Sequence, residues 1–497
     1  MSIAAIGVLV LLVTAGLFAS LGLLYASRQT INLEEFMVSR NQFGGGMAFA
    51  TVVASAMGVW ILFSPPQVGA GSGLTGIVGY CIGSALPLSL FTVLGPRLRR
   101  ILPNGHSLNE FVLLRFGNAM YILALVVIVF YMFIYLSAEL TAIAKAVQIL
   151  SNVPLGWTAL VVITATFLYT TYGGLRSTIF TDAIQFAVMV PLLLISFWVA
   201  LTALGGWQAA LEPIRAEAPE LLSWSNLSSI KFGATLVIAI LGAEIFNQSS
   251  WQRVYAGRTE RTVQRSFLWG AIALLPVLAI AGSLGLLARH FGFSDDRAFF
   301  SMIQELSLPS GFVVMVLILA LALVMSTLSS LLNGIASVFT GDLIRLFPAL
   351  QVRGLLRASR VLTVAFGIPA ILIAARGFDV LYLFLLADLV CAGAFVPVIA
   401  GLYSTRLTQG VALMASLVGI VAGALFFPAP DFSAWLPIPG NGDLLVSFAI
   451  AALLSSLLVG VGVLLFPASR PFDFRQLQDR VQNYDHPTEP KPASVAD

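Results

Sequence analysis

Long uncharged runs follow one another along this chain, and they restrict its fold more than any other feature. They cover roughly 2–25, 43–68, 71–95, 118–147, 156–175, 178–205, 229–255, 266–291, 311–341, 358–375, 378–403, 409–427 and 444–467. A helix needs about 20 apolar residues to cross the hydrocarbon of a bilayer. In lipid every backbone N–H and C=O must bond within the protein, which leaves helices or closed barrels. The runs therefore predict an all-α polytopic membrane protein of about 13 transmembrane helices. Composition agrees, with 59% hydrophobic and 10% charged residues and a mean hydropathy of +0.95. Soluble domains carry about 25% charged residues. A net charge of only +3 leaves no basic field for nucleic acid.

The first run has no Lys or Arg before it and exceeds a leader's apolar core, so it reads as a retained span. If loops alternate sides, Lys145, Arg215, Lys231, Arg289, Arg297 and Arg376 fall on one face, and the other 20 of the 26 basic residues on the opposite one. The positive-inside rule then puts the N-terminus outside and the C-terminus in the cytoplasm of a cell (plasma or inner) membrane. Residues 1–467 are expected to form one transmembrane domain, with its core about 43–403, and 468–497 a mobile polar tail. No Walker loop or appended nucleotide-binding domain is present, so transport must draw on an ion or solute gradient. Cys81 and Cys391 lie in apolar runs and read as small buried hydrophobes. Neither transition-metal spacing nor a nucleophile–base–orienter set can be assembled, and no organic cofactor or enzymatic activity is expected.

Charge inside a bilayer is costly and marks function. Glu139, Asp182, Glu244 and Asp388 fall within or at the start of spans, and Lys145 is the only base at comparable depth. An acidic interior suits cations; the alternative for each carboxylate is to cap a helix or pair with backbone. Three apolar runs are also interrupted. The second carries Ala54-Ser55-Ala56-Met57-Gly58 and then Ser64-Pro65-Pro66, which cannot sustain an unbroken ladder. The seventh turns polar from Glu244 to Arg253 through Asn247 and Gln248, and the ninth places Ser326, Ser330, Asn333 and Ser337 along one helical face. The second and seventh spans are five apart and run in opposite directions, as expected of broken helices in two inverted halves of a secondary transporter. Trp60, Phe246, Trp251 and Tyr382 read either as gates or as lipid-facing aromatics.

At Tyr172-Gly173-Gly174 through Thr181-Asp182-Ala183-Ile184-Gln185 the sequence resembles the sodium:solute symporter family. Val324-Met325-Ser326-Thr327-Leu328-Ser329-Ser330, followed by Gly341-Asp342-Leu343, is similar to that family's sodium-binding helix, and Trp251-Gln252-Arg253 to a branch that includes urea transporters. The resemblance implies an inverted five-plus-five core, here spans two to eleven. It also implies a principal Na⁺ site made by carbonyls of Ala54, Met57 and Leu323 and hydroxyls of Ser326 and Thr327. A second Na⁺ at Asp182, Ser329 and Ser330, as in some members, is the further implication. Ala56 stands where proline-transporting members carry an aspartate, which argues against proline.

Sodium-coupled import of a small polar organic solute is the function this implies. The rival is a symporter-like sensor acting with a separate signalling partner, which a tail of about 30 residues does not favour; a channel is weaker still. Trp60, Glu139, Glu244, Asn247, Gln248 and Asp388 are the candidate solute contacts. With no deep Lys or Arg to receive an anion, neutral, zwitterionic or cationic solutes are expected over carboxylates.

Overall fold

The computed structural model describes residues 3–28, 32–347, 352–478 and 480–481. Their regular structure is helical throughout: α1 Ile3–Ser27, α2 Leu33–Met37, α3 Gly45–Ala56, α4 Ser64–Ile101, α5 Leu108–Phe116, α6 Asn118–Ser151, α7 Leu155–Ala203, α8 Trp207–Glu217, α9 Leu227–Ala243, α10 Gln248–Ala256, α11 Glu260–Ala288, α12 Ala298–Glu305, α13 Ser310–Leu346, α14 Val352–Ala374, α15 Val380–Gly401, α16 Gln409–Phe426 and α17 Leu444–Leu465. Eleven helices among the described residues are long and apolar enough to cross a membrane.

Two of these are too long for one crossing. The 38 residues of α4 and the 49 of α7 would reach about 57 and 74 Å if straight. Each is broken at one glycine in the left-handed φ region, Gly73 (φ 61°) and Gly174 (φ 56°), a conformation that penalises a side chain. Packing adds to this, since a methyl on Gly73 would overlap the Leu221 carbonyl and one on Gly174 the backbone of Phe36.

The second predicted run is not one helix. α3 stops at Ala56, a single 3₁₀ turn covers Val59–Leu62, and α4 begins at Ser64. Pro65 and Pro66 occupy the first turn of α4, where their missing N–H groups cost nothing. They start the second half rather than interrupt the first. The seventh run breaks likewise: α9 ends at Ala243, a 3₁₀ turn spans Glu244–Phe246, and the Asn247 side chain caps α10. Trp251 Nε1 donates to Ile245 O (2.7 Å), fastening the new half to the break.

Contacts sort the connecting segments into two sets. In one, Arg40 donates to Pro103 O and Gly105 O (2.9 Å to the latter), Arg99 to Val254 O and Gly257 O, and Arg176 pairs with Glu35. Asp342 there meets Tyr121, and Arg345 donates to Asn118. In the other, Lys145 pairs with Asp296, Gln67 donates to Asp379 (2.8 Å), and Tyr382 donates to Pro428 O. The tail is not loose where it is described. Ala468 N donates to Arg406 O, Phe472 N to Thr405 O, Gln478 Nε2 to Arg100 O, and Asn104 Nδ2 to Val481 O. Phe472 and Phe474 lie against the Arg115 and Arg97 guanidinium groups, which is why this polar segment packs. Residues 482–497 of the predicted tail lie outside the described residues.

Candidate functional site

The break after α3 is built around Glu139. The Met57 N–H bonds to Val53 O (3.0 Å) and Ala54 O (3.2 Å), closing the helix, and Met57 itself turns away at φ −101°, ψ 87°. Glu139 Oε2 then accepts from Val59 N (3.0 Å) and Oε1 from Trp60 N (3.3 Å). A carboxylate thus caps the restarted turn, where partial positive charge favours it. Gly58 makes room, since a methyl there would overlap that carboxylate. Glu139 is fully buried and its two oxygens hold backbone; it does not line the central cavity described below.

α13 packs against both α3 and the Val59–Leu62 turn. Its Leu323, Ser326 and Thr327 are buried, as are Ala54 and Met57 at the end of α3. Thr327 Oγ1 is buried without a hydrogen-bond partner. Leaving a hydroxyl so costs about 1–3 kcal/mol, which a cation ligated there would offset. Ser326 Oγ donates to Asp182 Oδ1 (2.7 Å), which uses its proton and leaves its lone pairs for a cation. Tyr169 OH donates to Met325 O (3.0 Å) and holds α13 against α7 at this level.

The position expected for a second Na⁺ holds a guanidinium. Loop alternation places Arg253 among the cytoplasmic bases, yet it is 3% exposed inside α10. Its Nη2 donates to Asp182 Oδ2 (2.8 Å) and to Ser330 Oγ (2.7 Å), its Nε to Thr51 O and Thr51 Oγ1, and its Nη1 to Ser249 O. Thr51 Oγ1 donates to Asp182 Oδ2 (2.6 Å), and Ser329 Oγ to Ser326 O (2.9 Å). Asp182 is therefore compensated by protein donors. The polar run from Glu244 to Arg253 breaks the seventh apolar segment, and its side chains bond inward.

Beside the break lies a cavity lined from α3, the Val59–Leu62 turn, α4, α6, α9, α11 and α15. Trp60, Tyr80, Tyr131, Tyr135 and Phe384 give it aromatic walls, while Glu244, Asp388 and Ser84 supply its polar edge. Trp60 stacks on Tyr80 at 5.6 Å, and Tyr135 meets Phe384 edge-on at 4.9 Å. Glu244 accepts from Ser250 Oγ (2.7 Å) and Asn247 Nδ2 (3.1 Å). Of the six candidate solute contacts, Trp60, Glu244 and Asp388 line the cavity. Asn247 caps α10, and Gln248 donates to His106 O (2.7 Å), so both point elsewhere. Trp60, Phe246, Trp251 and Tyr382 are all buried, which corrects the lipid-facing alternative. Tyr131 and Tyr135 were missed, although they precede Glu139 at four-residue steps on one helical face.

The sequence profile of the sodium:solute symporter family matches residues 36–419. A spermidine transporter of Candida albicans, DUR31, is 29% identical over 409 residues, covering 79% of this chain and 75% of that one. The urea-proton symporter DUR3 of Oryza sativa subsp. japonica is 21% identical over 407 residues, covering 74% of this chain but only 55% of the rice protein. Among solved structures, the substrate-bound, outward-open state of a Na⁺-coupled sialic acid symporter superposes with a TM-score of 0.77 at 18% identity, over 94% of this chain and 99% of the other. At that identity the likeness is one of fold.

Proposed function

This chain belongs to the sodium:solute symporter family and is a multi-pass transporter, not an enzyme; we propose that it couples the inward movement of Na⁺ to import of a small polar solute. The observation that carries this reading is the partnerless, buried Thr327 hydroxyl on α13, which packs against the unwound end of α3. Carbonyls of Ala54, Met57 and Leu323 and hydroxyls of Ser326 and Thr327 would complete the cation's shell. One Na⁺ moves per cycle, because Arg253 already compensates Asp182 and uses the Ser330 hydroxyl.

The chain crosses the membrane thirteen times in this reading, with α4 and α7 each contributing to two crossings on either side of Gly73 and Gly174. Support comes from the two sets of segments that touch. Those containing Arg40, Arg99, Arg176 and Arg345 join the basic, cytoplasmic set, and those around Lys145, Asp296 and Asp379 the outer one. This is the alternation that thirteen crossings with the N-terminus outside require. The core at 43–403 is an inverted five-plus-five repeat, with α3 and α10 as the ends of its two broken helices, and 1–467 is one transmembrane unit with 468–497 on the cytoplasmic side.

The solute is an amide, an amine or a zwitterion, since both charged groups on the cavity wall are acids. Spermidine and urea, the solutes named for two relatives, are the first to try. Uptake of a radiolabelled panel by proteoliposomes tests the reading. An inward Na⁺ gradient should drive accumulation that an equal K⁺ gradient does not. Accumulation driven by a proton gradient alone, at equal Na⁺ on both sides, would replace Na⁺ with H⁺ as the coupling ion.

A further inference from the structure

We propose that the transported solute is an aliphatic amine carried as its ammonium cation, with Asp388 the group that receives the charge. The inference deepens the transport reading above and rests on its cavity. Asp388 projects from α15 into the cavity wall and is 6% exposed. No hydrogen bond and no ion pair from any described residue reaches its carboxylate. The buried carboxylates nearby have donors: Glu139 two backbone N–H groups, Asp182 a guanidinium and two hydroxyls, Glu244 a hydroxyl and an amide. A buried carboxylate left bare is expensive, and the expense is removed only by a cation or a proton. Ser84 Oγ, on the same wall, is also buried without a partner, which leaves an acceptor for an ammonium N–H.

Trp60, Tyr135 and Phe384 line the same space and pack on one another, and aromatic rings attract alkylammonium groups. Lys, Arg and His are absent from the cavity lining, so an anionic head group finds no partner. Glu244, also on the wall, adds a second acid, and a diamine carries a second ammonium for it.

The test compares 1,4-diaminobutane with its neutral isostere 1,4-butanediol. Binding to the purified full-length protein is read by quenching of tryptophan fluorescence, which Trp60 reports from the cavity wall. The diamine is expected to bind at least about tenfold more tightly than the diol, the scale of one charge-assisted contact. Asp388→Asn should erase that preference while leaving the Na⁺ dependence of fluorescence unchanged, and Asp388→Glu should keep part of it. Equal binding of diamine and diol, binding of neither, or an Asp388→Asn variant that keeps its diamine affinity overturns the proposal. So does a variant whose Na⁺ dependence changes instead, since Asp388 would then be an ion ligand. If Asp388→Asn does not fold, the wild-type comparison and Asp388→Glu decide alone. Uptake of the amine that does not depend on Na⁺ would defeat the coupling reading and spare this one; Na⁺-driven uptake of a different solute, with no amine binding, would do the reverse.

Discussion

Thr327 and Ser326 are adjacent hydroxyls with different partners, and that difference defines their roles. Ser326 spends its proton on Asp182, whereas Thr327 has nothing to bond within the protein. Thr327→Val keeps the shape and removes the oxygen. It should raise the Na⁺ concentration for half-maximal uptake by about tenfold or more, the scale of one bond to a charged group, with the amount of folded protein unchanged. Unaltered Na⁺ dependence would remove Thr327 from the ion site. Gly58→Ala tests the cap by a different route, because its methyl meets the Glu139 carboxylate. Overpacking of that kind costs about 1–3 kcal/mol, so detergent melts should shift down, whereas an unshifted melt would mean the break is not held this way. The hydroxyl run and the buried acids were legible in the sequence because chemistry of that sort stands out among apolar residues. Arg253 was not. A basic residue at the edge of a polar run reads as a loop charge, and only the fold shows that Asp182, seventy-one positions away along the chain, meets it.

Among the elements, the broken helices were legible from Pro65-Pro66 and from the polar run after Glu244, and the structure breaks both spans there. What periodicity cannot give is the partner that stabilises each break: Glu139 for the first and Asn247 for the second. α10 is tied to α7 through Arg253 and Asp182, and removing one partner strands a buried charge. Asp182→Asn and Arg253→Gln are each expected to cost about 3–5 kcal/mol. The double variant should recover most of that in a melt, and strictly additive losses would show that the pair is not coupled. A second tie lies between the long helices, where His106, in the turn before α5, pairs with Glu34 (2.8 Å) beside Arg40. Burial alone would lower its pKa, but the Glu110 and then the Glu34 carboxylates hold it up at about 9. A pKa raised above the ordinary value of about 6.5 gives stability that is full below pH 6.5 and lost as pH rises through about 9. Hydrogen-exchange protection at residues 102–110, taken relative to the intrinsic rate at each pH, should fall over that window, and His106→Gln should flatten the response. Protection that stays constant or rises across that window would contradict the assignment.

At the scale of the molecule, the apolar runs revealed the class of fold. Contacts between distant segments, such as the packing of Phe472 and Phe474 under Arg115 and Arg97, were hidden because a polar tail carries no periodic signal. Energetics follow from the ion count. At 100 mV one Na⁺ contributes about 2.3 kcal/mol before its concentration gradient, which supports less than two decades of solute accumulation. An ammonium solute adds its own charge to that drive. The most direct measurement reverses the coupling: proteoliposomes are loaded with ²²Na⁺ outside, and an inward gradient of the transported solute is imposed at zero membrane potential. The account predicts that the solute gradient pulls in one ²²Na⁺ per solute molecule and that Thr327→Val abolishes this uptake at low Na⁺. Solute entry with no accompanying ²²Na⁺ would contradict it.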